Sequence, residues 1–250
     1  MHTCHLGLYQ VAIAEGLILL QEYSLLAGIA GSRTEAFRLS FTSFRSWCRA
    51  NKIGCSMRAW TAKSFHVDLD NPQDFPWING KAFNSRCVLG FCAHALAAPA
   101  VKDFLLGDPP SVPAGFANWS QFARFTTAAV LALSAFQDRL EGTTRYLTQT
   151  EAADLHQRGL QFLELSKGAH NLASASNKMR WLILPKNHVF EELLVGMSQN
   201  LYSCRYFHNF SEEDLMGSLK TSCRRYPLNS LEQNVLRNSL INLVAASKAR

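Results

Sequence analysis

Between Leu6 and Gly31 the chain carries no lysine or arginine and only two acids, Glu15 and Glu22. A stretch this apolar has to be buried, either in a membrane or in a protein core, and its interruptions decide which. A spanning helix needs roughly 20 consecutive apolar residues, and Gln10, Glu15, Gln21 and Glu22 break the stretch first. A secretory leader needs a basic start ahead of a short apolar block, whereas the first lysine or arginine here is Arg33. The segment therefore reads as part of a core, with no targeting role and no membrane span. Leu6, Ile13, Leu17 and Leu20 recur near helical spacing, which predicts a long amphipathic helix ending at Gly28 or Gly31.

Apolar residues at helical spacing continue along the chain. Phe37, Phe41, Phe44 and Cys48 line one stripe of a second helix, and Arg38, Arg45 and Arg49 lie one step around it, where they stay wet. From Asn51 to Lys81 the pattern dissolves into turns, and residues 82–98 read as a short helix. A second break, 107–115, contains Pro109, Pro110 and Pro113 and divides the chain into an N-terminal helical part (1–106) and a C-terminal one (116–250). Residues 119–140 read as a buried helix. Thr148 with Glu151 forms a capping box that opens a helix carried by Leu155, Phe162, Ala169 and Ala173. Pro185 sits at the first turn of a helix through Val189, Leu193 and Met197. Ser211 with Asp214, and Ser230 with Gln233, predict two more helices hinged at Pro227. Strand signals are nearly absent. The expected fold is all-α, with eight or nine helices, and at 48% apolar and 18% charged residues the chain has ample material for a core.

The seven cysteines form an odd set without a C-x-x-C pair, which argues against a disulfide framework and a zinc ribbon and for reduced thiols in an intracellular setting, nuclear or cytoplasmic and not secreted. His2, Cys4 and His5 crowd one end, but no second ligand pair stands at zinc-site spacing, so no metal is assigned. The net charge of +6 is confined to one stretch: seven basic residues from Arg33 to Lys63 face Glu35 alone, and the rest of the chain is neutral.

No Gly-rich phosphate loop, nucleophile elbow or His-Glu-x-x-His element is present, which counts against a self-contained enzyme of a common class. Three features remain. Arg38, Arg45, Arg49 and Lys52, interleaved with Phe37, Phe41, Phe44, Trp47 and Trp60, could neutralise nucleic-acid phosphates. The same pattern suits a solvated helix rim whose aromatics form core. Glu212, Glu213 and Asp214 could contribute to a magnesium site, or simply favour a helix N-terminus. His188 could serve as an acid or base near neutral pH, or as a structural group on its helix. Asp68 and Asp70 read as a turn.

Two ends of the chain resemble a known family. The opening His2-Thr3-Cys4-His5-Leu6-Gly7 is similar to the element of CACTA-type DNA transposases in which a catalytic aspartate precedes a histidine and a Leu-Gly pair leads into a helix. Pro185-Lys186-Asn187-His188-Val189-Phe190 resembles their Pro-Lys-x-His element, and the segment from Phe210 through Gly217 to Lys220 resembles a later one. Proteins encoded in dinoflagellate genomes share this layout. The resemblance implies three acids on an RNase H-like core that hold two magnesium ions for strand cleavage and transfer, with Glu213 or Asp214 matching the last acid. The first aspartate would precede Met1, so the chain is expected to be the helical C-terminal half of such a protein: a transposase-derived fragment that binds DNA weakly, has no catalysis and no cofactor of its own, and pairs with a missing N-terminal half. The other reading is a helical interaction or scaffold module whose partner is another protein.

Overall fold

The computed structural model describes residues 7–26, 28–66, 75–78, 82–106, 113 and 115–206, together with 233, 234 and 237. Two compact units divide the chain, Met1–Phe207 and His208–Arg250, and nearly all of the described residues belong to the first. The protein is all-α. Seven helices are described: α1 (Tyr9–Leu26), α2 (Arg33–Ala50), α3 (Ala82–Leu96), α4 (Pro99–Leu106), α5 (Trp119–Glu141), α6 (Gln149–Ala175) and α7 (Pro185–Asn200). No strand is found among the described residues; one isolated antiparallel bridge joins Tyr146 and Tyr202.

α1 is not the amphipathic helix its spacing suggests. Ile13 and Leu17 are fully buried, and so are Ala12, Ala14 and Leu19 on the other sides of the helix. It packs on α2, α3 and α5 at once, which leaves no face for solvent. A helix that is apolar all round belongs in the middle of a core.

α5 and α6 form the most extensive helix pair, with α7 packed on α6 and with α3 and α4 on α5. The helices on either side of residues 107–115 thus share one core, while positions 107–112 and 114 lie outside the described residues. The local signals for these elements hold. Thr148 accepts from the Glu151 N–H while the Glu151 carboxylate accepts from the Thr148 N–H, closing the capping box of α6. Leu155, Phe162, Ala169 and Ala173 are its buried face. Pro185 opens α7, where its missing N–H is no loss. The buried face of α7 is Phe190, Leu194 and Met197, one residue on from the expected Val189 and Leu193. The reason is the Phe190 ring, which packs edge-on against Phe136 and Phe162 at 5.2 and 6.1 Å. Val189 is turned outward. Of the two helices expected in the last fifty residues, the first lies outside the described residues; of the second only 233, 234 and 237 are described, and they are helical.

Candidate nucleic-acid interface

α2 begins where the Ser32 side chain accepts a hydrogen bond from the Glu35 N–H at 3.2 Å, satisfying one of the donors that a helix start leaves open. Glu35 lies in the first turn, where the helix dipole favours its charge. Phe37, Phe44 and Cys48 are buried. Phe37 stacks on Phe65 at 4.9 Å, Phe44 stacks on Trp60 at 5.0 Å, and Phe91 from α3 meets Phe44 edge-on at 5.5 Å. These rings are therefore core, and they offer no platform to a nucleobase.

Arg38, Thr42, Arg45 and Arg49 are exposed and fall in one stripe along the outer side of α2. Lys52, in the left-handed conformation at φ 55°, follows just past its end. The four cations differ in how much of their charge is available. Arg38 donates to both Glu35 oxygens, at 2.8 and 2.5 Å, and this bonding holds the Glu35 carboxyl below its usual range. Arg45 donates only to the Cys55 carbonyl (3.1 Å), and Arg49 to the Arg45 carbonyl (3.3 Å) and the Ser46 hydroxyl (3.5 Å). Neutral acceptors orient a guanidinium without cancelling its charge, so Arg45 and Arg49 keep theirs. Among the described residues Glu35 is the only acid ion-paired to these four.

Of the segments expected to resemble transposase elements, one residue of the first, Gly7, lies against one of the second, Lys186. A Cβ added to Gly7 would stand 2.4 Å from the Lys186 Cδ, so the start of α1 and the first turn of α7 approach closely. His188, one turn further along α7, is exposed and places its Nε2 3.3 Å from a Glu192 oxygen, a helix-surface pair that salt and water screen. A groove runs along α6 past His156, Gln157, Leu160, Gln161 and Glu164, and His188 is not part of it. His2, Cys4, His5, Asp68, Asp70, Glu213, Asp214 and Gly217 lie outside the described residues. Among the described residues no three His, Cys, Asp or Glu side chains converge on a metal position.

No protein family, curated protein or solved structure shows significant similarity to the chain.

Two groupings had no sequence motif to announce them. In the core, Arg180 donates through Nε to Glu15 at 2.5 Å and approaches Glu22 at 3.5 Å, with its guanidinium over the Phe122 ring at 5.2 Å. The Trp181 N–H donates to the second Glu15 oxygen at 2.8 Å, and its indole N–H donates to Thr126 at 2.9 Å. Burial pushes both carboxyls up, and Arg180 only partly offsets this. Burial also works against the Arg180 charge, but the two carboxylates outweigh it and hold the guanidinium ionised. On the surface, Tyr146, Tyr202 and Tyr206 cluster with Arg145 and Arg205. Both groupings join residues far apart in sequence, and only the folded chain reveals them.

Proposed function

We propose that the protein is a transposase-derived helical unit that binds duplex DNA weakly through the outer stripe of α2, without catalysis of its own. The observation that carries this reading is the stripe itself, in which Arg45, Arg49 and Lys52 have no acid paired to them among the described residues. Each phosphate neutralised by such a cation releases condensed counterions, which gives affinity without base readout. The meeting of Gly7 with Lys186 supports the family likeness, since it joins two elements that the resemblance picks out separately. A nuclear setting and an origin in a transposable element follow from the same reading. Magnesium belongs to the longer transposases, and Glu213 or Asp214 would be this chain's contribution to such a site.

The test is fluorescence anisotropy with a labelled duplex of arbitrary sequence across a salt series. With three to four phosphate contacts, affinity is expected to fall about 40- to 150-fold between 50 and 200 mM salt, with little sequence preference. Reversing all four charges (Arg38→Glu, Arg45→Glu, Arg49→Glu, Lys52→Glu) is expected to abolish binding. Salt-independent binding, or an unchanged quadruple variant, would sink the proposal. A second reading, a helical protein-interaction module, draws support from the exposed apolar side chains Met179, Ile183, Val189 and Val195 on and just before α7. A duplex-binding defect in α2 variants would leave that reading without need.

A further inference from the structure

After α5 ends, the chain runs through residues 143–148 without a helix, and after α7 it turns at Leu201 in the left-handed conformation (φ 51°) and comes back alongside. The Leu147 N–H donates to the Leu201 carbonyl at 2.8 Å and the Ser203 N–H to the Arg145 carbonyl at 2.9 Å. Directly opposed residues in such a pair put their side chains on one face. Leu147 and Ser203 turn inward and are buried, so Tyr146 and Tyr202 are left side by side on the outer face, 5.7 Å apart and nearly perpendicular. Tyr206 follows at 6.4 Å from Tyr202, with the Arg145 guanidinium 5.3 Å above its ring. Arg205 lies 6.0 Å from the same ring and donates to the Glu141 carbonyl at 2.6 Å.

Two properties of this knuckle call for an occupant. Tyr146 is 71% exposed, the most of any large apolar side chain described, although the Thr144 hydroxyl fixes its backbone by donating to the Tyr146 carbonyl at 2.7 Å. Arg145 is exposed, held over an aromatic ring, and in no ion pair among the described residues. An open ring face beside an unneutralised guanidinium matches a ligand that alternates flat aromatic groups with negative charge.

We propose that this surface binds single-stranded nucleic acid, with a base stacked on Tyr146 and an adjoining phosphate on Arg145. A duplex keeps its bases stacked on each other and offers a protruding ring nothing flat, whereas a single strand exposes base faces of every sequence. An acidic peptide would be served by the arginine but has no use for the ring. The surface includes no residue of α2, so it stands or falls separately from duplex binding.

The experiment titrates the full chain against fluorescein-labelled oligothymidylate of about 12 nucleotides, within the usual footprint of such surfaces. Tyr146→Ala is expected to weaken binding about tenfold, Tyr146→Trp to preserve it, and Arg145→Ala to make the salt dependence shallower by about one phosphate. Circular dichroism checks that the variants fold, which the exposure of both side chains favours. The α2 quadruple variant is expected to retain the Tyr146 effect, so loss of duplex binding and loss of oligothymidylate binding are read independently. No binding by the wild-type chain, or equal binding by Tyr146→Ala, overturns the proposal. So does polyglutamate that competes with oligothymidylate at equal charge and is lost in the same variant, because the surface then belongs to an acidic protein segment.

Discussion

Arg180 stands against two buried carboxylates. Its removal leaves Glu15 in the core without its cation and Glu22 with only the weaker influence of Arg33, and a buried ion pair stripped of one partner costs about 3–5 kcal/mol. Arg180→Met is therefore expected to be severely destabilising, as read by urea unfolding, whereas Arg158→Met, at a half-buried i,i+4 pair whose Asp154 keeps Arg139 as a second partner, should change stability by about 1 kcal/mol at most. The two acids also make stability depend on pH. A carboxyl whose pKa is raised by folding contributes stability that is complete below its unfolded value, near 4.5, and is lost as pH rises through the folded value. Glu22→Gln keeps the shape and leaves Glu15 paired one-to-one with Arg180. Its melting temperature should match the wild type near pH 5 and exceed it at pH 8. A difference that does not change with pH would count against this account. The sequence displayed both acids as interruptions of an apolar run and nothing more, because their partner is 165 positions from Glu15 and pairing over that span leaves no local trace.

At the scale of helices, periodicity reported which segments coil but not how many neighbours each one meets. Leu155 to Ala173 and the capping box of Thr148 were legible because α6 has one inward face and a local start signal. α1 was misread as amphipathic because Leu6, Ile13, Leu17 and Leu20 trace one stripe, whereas Gln10, Glu15, Gln21 and Glu22 turn out to be buried as well. The face of α7 came out one residue off because Val189 and Leu193 have the same spacing as Phe190 and Leu194, and only packing against Phe136 and Phe162 chooses between them. Helix crossings carry a further prediction. A Cβ on Gly159 would lie 2.4 Å from the fully buried Leu194, and one on Gly168 would come equally close to the Phe125 ring, which is half-buried. Gly159→Ala should cost about 1–3 kcal/mol by overpacking, more than the roughly 1 kcal/mol that alanine gains in a helix. Gly168→Ala should cost less than Gly159→Ala, because the half-buried Phe125 ring is less confined than Leu194. Leu194→Ala in the Gly159→Ala background should recover part of the loss, and a double-mutant cycle measures how much.

The whole molecule confines its +6 charge to one stretch, and α2 turns that linear clustering into a surface stripe. That stripe was readable from sequence, since a helix's outer side is set by its apolar side. The tyrosine and arginine knuckle was not, because Tyr146 and Tyr202 come from connections that carry no periodicity. None of the described helices is long and apolar enough to cross a membrane. The described thiols offer a global check on the packing. Cys48, Cys87, Cys92 and Cys204 are buried, and burial raises all four pKa values, Cys87 and Cys204 to about 11. Cys55 alone of the five is partly exposed. Alkylation followed by peptide mapping should label Cys55 first among them, and the other four only on unfolding. Rapid labelling of Cys92 in the native protein would contradict the core described for α3.

The burial of α1 on every side sets a timetable for synthesis. Its contacts with α5 need more than 100 further residues to be translated after Glu15, and its ion pair with Arg180 needs 165, about 10–30 s at ordinary elongation rates. α2 and α3 can cover part of it early, but until α5 and Arg180 arrive the most apolar of the described helices keeps one side uncovered. A holdase that captures apolar segments at the ribosome is therefore expected to engage the nascent chain until α5 and Arg180 complete the packing of α1.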